Sequence, residues 1–199
     1  CDQTQAVDLL TEDNFVRGVV CQSLRDRQAR SYKVSSRLVI DASGMSTKLR
    51  RNLSIPSFIE KEIDRDDIEP TIRLIARLAD GSKVDSSRGE IYFDADKAPG
   101  GYLWIFPKAR NKVNIGLGIQ QKRTSKSLET LLNAWIAETP LFKGMTELAD
   151  DDNLPGAWPV SVRHQNDSLV ANGFMLAGDA GWFPNPVSAG GIGPSMTGG

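Results

Sequence analysis

The sequence has no long hydrophobic run, and this absence excludes one class of protein. Its apolar stretches, such as Leu38–Ile40 and Phe174–Ala177, fall far short of the roughly 20 residues that a membrane-spanning helix needs. The sequence therefore predicts no transmembrane segment. We expect a cytoplasmic protein, and the sequence leaves open whether it contacts a membrane peripherally.

Cysteine and histidine are also scarce. The 199 residues include two cysteines, Cys1 and Cys21, and one histidine, His164. So few thiols and imidazoles exclude a disulfide-stabilised scaffold and a zinc finger. Three adjacent carboxylates at Asp150–Asp152 are interpreted as a solvated charge run, so no metal site is predicted.

Neither sign of charge is in excess. Lys and Arg number 24 against 25 Asp and Glu, for a net charge of −1. Without a basic face, nucleic acid is a poor candidate partner. The chain begins at Cys1 rather than methionine and stops at Gly199, just after a glycine-rich turn. We therefore expect an internal fragment of a longer protein that is inactive when expressed alone.

Short continuous apolar runs indicate the first type of sheet. The runs at Leu38–Ile40 and Gly173–Ala177 are typical of strands buried on both faces in a parallel sheet. After the first of these runs, residues 46–52 predict a short helix. Leu49 is expected to face inwards in this helix, and Lys48, Arg50 and Arg51 to face solvent.

The middle of the chain predicts an antiparallel sheet and one helix. Four β-rich runs, at residues 68–78, 90–93, 102–106 and 113–119, are separated by turn residues, and this spacing favours an antiparallel sheet. Residues 128–136 carry a single apolar stripe of helical period, which ends before Pro140. The order of elements predicts an α/β plus antiparallel β fold, in which a β-sheet domain is inserted in a nucleotide-binding, Rossmann-like domain. The predicted bounds are 1–55 and 166–199 for the nucleotide-binding domain and 56–165 for the inserted domain.

The Gly178-Asp179 pair follows the second apolar strand. An aspartate at the carboxyl end of a parallel strand lies where open α/β sheets bind ligands, although Gly-Asp is also common in ordinary turns. Downstream, Pro186 and Gly190-Gly191 precede a predicted helix. Glycines at a helix N-terminus allow backbone N–H groups to approach a ligand, and the helix dipole favours negative charge there.

Three aromatic residues alternate along one predicted strand. Tyr102, Trp104 and Phe106 therefore share one face of the sheet. Such a face forms either the wall of an apolar slot or part of an ordinary hydrophobic core, and the residues alone leave both open.

The segments around these residues resemble the motifs of a known class. Phe174–Ala180, followed by Asn185-Pro186 and Gly190–Ile192, is similar to the second FAD-contacting motif of the flavoproteins that include aromatic hydroxylases and geranylgeranyl reductases. Leu38–Gly44, with Thr47 and Arg50, is similar to the other internal motif, with Ser43 in place of its aspartate. The resemblance implies that FAD contacts these residues: Ala42, Ser43, Gly44, Arg50, Gly178, Asp179, Pro186, Gly190, Gly191 and Ile192.

A third motif narrows the resemblance to one family. Gly100–Pro107 and Val113–Gly118 resemble two consecutive strands of the geranylgeranyl reductases, Tyr-x-Trp-x-Phe-Pro and Val-Gly-x-Gly. This resemblance implies an FAD-dependent oxidoreductase that reduces prenyl C=C bonds of isoprenoid lipids or chlorophyll precursors by hydride transfer from reduced flavin. It also implies that Tyr102, Trp104 and Phe106 line a slot for the prenyl chain.

The sequence leaves the reductant, the proton donor and two alternative functions open. The reductant is NAD(P)H or ferredoxin, and no catalytic residue or proton donor is identified. One alternative function is an FAD-dependent monooxygenase or halogenase, which shares the Gly-Asp motif. The other is a non-catalytic prenyl- or lipid-binding β domain whose glycines serve as turns.

Overall fold

The fold is described from a computed structural model that covers residues 3–26, 30–46, 48–82, 84–108, 111–148 and 156–198. Thr47 and the Asp150–Asp152 run lie outside the described residues. The chain divides into two compact units, an outer unit of Cys1–Asp67 with Ser161–Gly199 and an inserted unit of Ile68–Val160. The assignment of domains to cofactor and substrate, with bounds at 55/56 and 165/166, stays a prediction.

The described elements include strands and helices in both units. The strands are β1 (Thr4–Glu12), β2 (Phe15–Ser23), β3 (Tyr32–Ser35), β4 (Val39–Asp41), β5 (Ile68–Arg77), β6 (Glu90–Tyr92), β7 (Tyr102–Lys108), β8 (Lys112–Gly118), β9 (Thr146–Glu147), β10 (Gly156–Ser161), β11 (Val170–Ala171) and β12 (Phe174–Leu176). The helices are α1 (Lys48–Arg51), α2 (Leu128–Glu138) and α3 (Ile192–Gly198). Among the described residues, no helix combines the length and the apolar character needed to cross a membrane.

The outer unit contains two small sheets. Strands β1, β2 and β3 form an antiparallel sheet, and the second sheet has the order β11-β12-β4. Strands β4 and β12 pair in parallel, with Val39 opposite Phe174, so the prediction that both runs belong to a parallel sheet is confirmed. This register brings the carboxyl ends of both strands to the same edge of the sheet.

The parallel strands are buried on one face only. Val39, Phe174 and Leu176 pack into the core of the outer unit, whereas alternate residues on the same strands are exposed. The exposed residues are Ile40 at 59% and Met175 at 38%, and Leu38, just before β4, is exposed at 45%. Side chains alternate across a strand, and the described core covers one side, so the predicted burial on both faces is not observed within the described residues.

Helix α1 differs from its prediction at one residue. Leu49 is buried as expected, and Lys48 and Arg51 are exposed. Arg50 is only 1% exposed, so the prediction that it faces solvent is wrong. Its guanidinium finds acceptors and an aromatic ring inside the outer unit, as described below, and these contacts make its burial tolerable.

The inserted unit is built on an antiparallel sheet, as predicted. Its strand order is β10-β5-β8-β7-β6, and β9 also pairs with β5. Asn111, with a φ of 58°, lies in the turn between β7 and β8. Helix α2 begins after Ser127, whose side chain accepts a hydrogen bond from the Thr130 backbone N–H, and a 3₁₀ turn begins at Pro140.

The two faces of this sheet have different roles. One face packs on α2, which contributes Leu131, Leu132 and Trp135 to the core. The strand residues in that core alternate along β5, β7 and β8: Ile72, Leu74, Ala76, Leu103, Ile105, Val113, Ile115 and Leu117. The intervening residues therefore point to the opposite face, and these include the three predicted aromatic residues.

Candidate functional site

The turn after β12 presents the aspartate singled out in the sequence. Gly178 adopts a left-handed conformation, with a φ of 60°, and begins a 3₁₀ turn that ends at Gly181. The Asp179 side chain is half-buried, and burial raises the pKa of its carboxyl above the usual value. Within the described residues its carboxylate has neither a hydrogen-bond donor nor an ion-pair partner. It is therefore available to accept hydrogen bonds from a ligand.

The glycine pair lies directly beside this carboxylate. A Cβ atom built on Gly191 would stand 3.2 Å from Asp179 Oδ1. The Gly190 carbonyl accepts a hydrogen bond of 3.0 Å from the Asn185 N–H, and the Asn185 side chain accepts from the N–H groups of Val187 and Ser188. The structure thus brings Gly178, Asp179, Gly190 and Gly191 together, while Pro186 and Ile192 are exposed nearby in the sequence.

The loop after β4 is the second predicted segment. Ala42 and Ser43 are exposed, Gly44 is half-buried, and Gly44 has a φ of 68°. The loop begins at Asp41, whose Oδ1 accepts a 3.0 Å hydrogen bond from the Ser43 N–H. The Ala177 N–H donates to the Asp41 carbonyl, which joins this loop to the end of β12.

Asp41 itself was not among the predicted site residues. It is 2% exposed, and its Oδ2 atom has no hydrogen-bond partner in the described residues. Its position at the end of an apolar strand could have identified it as a site residue, as a similar position identified Asp179.

Arg50 reaches the Asp179 turn from inside the outer unit. Its Nη1 donates to the carbonyl of Ala180, and its guanidinium lies 4.3 Å from the centroid of the Trp182 ring. Burial lowers the pKa of Arg50 to about 10, and the nearby charge of Asp41 opposes this shift. The side chain therefore remains cationic at neutral pH.

The Trp182 ring makes cation–π contacts with two arginine side chains. It is fully buried, and the guanidinium of Arg163 lies 4.4 Å from its centroid. Arg163 is in turn fixed by Glu60, with contacts of 3.1 and 3.2 Å to its carboxylate oxygens. Such cation–π contacts are worth about 0.5–2 kcal/mol each.

The backbone of Trp182 explains why this support matters. Trp182 has a φ of 61° and a ψ of 43°, a left-handed conformation that is a genuine outlier for a bulky residue and costs on the order of 1–3 kcal/mol. Strain of this kind persists only where surrounding contacts determine the conformation. Arg50, Trp182 and Arg163 therefore form a buried brace for the Asp179 turn, and sequence patterns gave no signal for it.

In the inserted unit, the three predicted aromatic residues form a row on β7. Ring centroids are 6.1 Å apart between Tyr102 and Trp104 and 6.1 Å between Trp104 and Phe106. Leu103 and Ile105, between them in sequence, belong to the core. The aromatic row is therefore on the face opposite the core, and Phe106 is 38% exposed. Phe93 extends the row, with its ring 5.9 Å from that of Tyr102.

Trp104 is fixed in place by β8. Its indole N–H donates a 3.1 Å hydrogen bond to Asn114 Oδ1. Gly116 lies opposite Trp104 in the register, and a Cβ there would come within 2.4 Å of the indole ring. The absence of a side chain at Gly116 thus allows the indole to lie flat on the sheet.

A buried acid shares this face. Glu69 on β5 is 8% exposed, and burial raises the pKa of its carboxyl. Thr71, two residues further along β5, lies opposite Gly118, which lies opposite Tyr102 on β7, so Glu69 points to the face of the aromatic row. Glu69 was not among the predicted site residues, although a lone carboxylate in an apolar strand was a usable signal.

The sequence comparisons agree with the motifs. Residues 67–148 match the family model described as the geranylgeranyl reductase catalytic domain. A digeranylgeranylglycerophospholipid reductase of Methanosarcina acetivorans is 34% identical over 194 residues, which are 96% of this chain and 43% of that protein. One of Sulfolobus acidocaldarius is 30% identical over 198 residues, which are 100% of this chain and 42% of that protein. The chain thus spans less than half the length of these relatives.

Solved structures show the same fold. A geranylgeranyl bacteriochlorophyll reductase-like protein of Thermoplasma acidophilum superposes with a TM-score of 0.81 at 23% identity, over 98% of this chain and 45% of its own. A flavin-dependent brominase superposes with a TM-score of 0.70 at 18% identity, over 98% of this chain and 47% of its own. The predicted α/β plus antiparallel β fold is confirmed. With the domain match and the reductase relatives, the resemblance drawn from the motifs is also confirmed: the chain is similar to the geranylgeranyl reductases.

Proposed function

We propose that the protein containing this chain is an FAD-dependent reductase that saturates C=C bonds in the geranylgeranyl chains of glycerophospholipids. The main observation that supports this proposal is the aromatic row of Tyr102, Trp104 and Phe106 on the non-core face of the inserted sheet. This row lies within the residues matched to the catalytic domain. The names of the relatives, digeranylgeranylglycerophospholipid reductases, support a prenyl phospholipid as the substrate class.

The outer unit fits FAD at the Asp179 turn. The Asp179 carboxylate is half-buried and without a partner among the described residues, as expected of an acceptor for ribityl hydroxyl groups. Gly191 leaves open the space that a side chain would fill next to it. We propose that further residues complete the contacts with FAD: Ala42, Ser43, Gly44, Gly178, Pro186, Gly190 and Ile192. Arg50 supports the turn through its contacts with Ala180 and Trp182. Reduced FAD, when bound, supplies hydride for the reaction.

The inserted unit supplies an apolar surface for the substrate. Burial of a prenyl chain against aromatic rings releases about 25 cal/mol per Å² of apolar surface. Trp104 is fixed by its hydrogen bond to Asn114, so it presents a fixed ring to the flexible prenyl chain. An isolated alkene is a poor hydride acceptor, and precise placement of its reacting carbons lowers the barrier.

The proposed function also needs an electron donor and a location. We propose an external donor, NAD(P)H or ferredoxin, which re-reduces the flavin after each double bond. We further propose that the protein is cytoplasmic and contacts the membrane surface peripherally, because its prenyl lipid substrate resides there.

An anaerobic half-reaction with the full-length protein tests the function. The purified protein is expected to carry FAD, which dithionite reduces and a digeranylgeranylglycerophospholipid in detergent then reoxidises. Mass spectrometry of the lipid should show two added hydrogens for each double bond reduced. A protein that binds no flavin supports the lipid-binding alternative, and halide-dependent halogenation of an organic acceptor with oxygen supports the halogenase; either result contradicts the proposal.

A further inference from the structure

Glu69 is a buried acid on the face of the aromatic row. The position between Thr71 and Tyr102 across the sheet is Gly118, which has no side chain to fill the space above β8. The Glu69 carboxyl and the Tyr102 phenol interact electrostatically, and burial together with this interaction raises the pKa of Tyr102. Glu69 therefore borders the surface on which we place the prenyl chain.

The side chain of Gln120 lies near the Glu69 carboxyl. Arg123 Nε donates a 2.6 Å hydrogen bond to the side-chain oxygen of Gln120. An amide presents its oxygen and its nitrogen to different partners, so this contact leaves the Gln120 nitrogen for the Glu69 side. Gln120 lowers the pKa of the Glu69 carboxyl, against the larger, opposite effect of burial.

We infer that Glu69 is the proton donor in the reduction of the prenyl double bond, an inference that rests on the proposed function. Reduced FAD, when bound, would supply hydride to one alkene carbon and would itself be oxidised by two electrons. The other carbon takes the proton of the Glu69 carboxyl: the O–H bond breaks, a C–H bond forms, and the carboxylate left behind is reprotonated from solvent. Atoms and charge balance without a further co-reactant.

The surroundings of Glu69 favour the protonated form. A carboxyl buried against apolar groups keeps its proton to higher pH than an exposed one, and Tyr102 adds a neutral hydroxyl beside it. The cation that contacts Gln120, Arg123, binds the amide oxygen rather than the Glu69 carboxyl. A general acid in such a position contributes about 10²–10⁴-fold to the rate.

The test compares Glu69→Gln with the unmodified full-length holoenzyme in single-turnover reoxidation of the reduced flavin by the prenyl phospholipid. We expect the variant to reoxidise at least about 100-fold more slowly while retaining its flavin. Glu69→Asp, which keeps an acid at a shorter reach, should recover part of the rate. The wild-type rate should fall as the pH rises through the pKa of Glu69, and Glu69→Gln should lose this dependence.

Glu147→Gln is the matched control. Glu147 is an exposed glutamate on β9, which pairs with the far end of β5 at Ala76, and its replacement should leave the rate unchanged. If a folded, flavin-loaded Glu69→Gln variant reoxidises within about threefold of wild type, the general-acid contribution is missing. That result would overturn the proton-donor role of Glu69 and leave the proposed function standing. Failure of the wild-type protein to reduce the lipid would instead overturn the proposed function, and the donor role with it.

Discussion

The guanidinium of Arg50 lies 4.3 Å from the centroid of the Trp182 ring. The same guanidinium donates to the Ala180 carbonyl, so Arg50 contacts the turn that contains Asp179 at both its middle and its end. A residue expected at the protein surface is thus a buried support for the candidate cofactor site.

Arg50→Ala is expected to destabilise the outer unit. The change leaves the Ala180 carbonyl without its donor and removes one of two cations from the strained Trp182, at a cost of about 1–3 kcal/mol. The full-length variant should melt at a lower temperature and retain less FAD. Arg51→Ala is the control: Arg51 is exposed and pairs with an exposed Glu62 at 2.8 Å, and such pairs contribute about 0–1 kcal/mol. Equal effects of both changes would contradict the bracing role.

Asp179→Ala should weaken FAD binding with little effect on folding. The carboxylate makes no contact with a donor in the described residues, so its loss removes only acceptors for the ligand. A charged hydrogen bond of this kind is worth about 1.5–3 kcal/mol, or a roughly 10- to 150-fold higher dissociation constant for FAD. Fluorescence titration of the deflavinated full-length protein measures it, with the exposed Asp167 changed to Ala as control. Unchanged affinity would exclude Asp179 from the cofactor site.

These residues also show what sequence could predict. Periodicity and turn residues, which are local in sequence, predict a parallel sheet that contains β4 and β12, the antiparallel sheet, helix α2 and the shared face of Tyr102, Trp104 and Phe106. The burial of Arg50 was missed because its acceptor, Ala180, is 130 residues away. The role of Gly116 was also invisible, since it depends on which strand residue lies opposite Trp104.

Gly116→Ala is expected to disturb the aromatic row. The new methyl group would come within 2.4 Å of the Trp104 indole and 2.3 Å of the Ile72 carbonyl oxygen. Overpacking of this kind costs about 1–3 kcal/mol, and displacement of Trp104 should slow turnover of a long prenyl substrate while the flavin content stays unchanged. Gly193→Ala meets no atom within 4 Å and serves as the control. Normal stability and turnover of Gly116→Ala would show that the indole position is unimportant.

Trp104→Ala separates the substrate surface from the cofactor site. Trp104 contacts residues of its own unit, Tyr102, Phe106 and Asn114, and lies outside the core cluster. The variant should therefore keep its FAD and lose activity on the long prenyl lipid through a higher KM. Flavin content by absorbance and steady-state kinetics with the lipid measure the two effects. A parallel loss of folding and flavin would assign Trp104 to structural packing.

Glu69 links the proposed chemistry to stability. Because burial raises the pKa of its carboxyl in the folded protein, the native state binds this proton more tightly than the unfolded state. The ionised carboxylate therefore lowers the free energy of unfolding at pH values above its folded pKa, and this loss is recovered as the pH falls through that pKa towards the unfolded value. Glu69→Gln cannot ionise, so it should be more stable than wild type at neutral pH and equally stable at acidic pH. Melting temperatures of both full-length proteins across this pH range provide the measurement. A constant difference between the two proteins at every pH would show that Glu69 titrates alike in the folded and unfolded states, contrary to its burial.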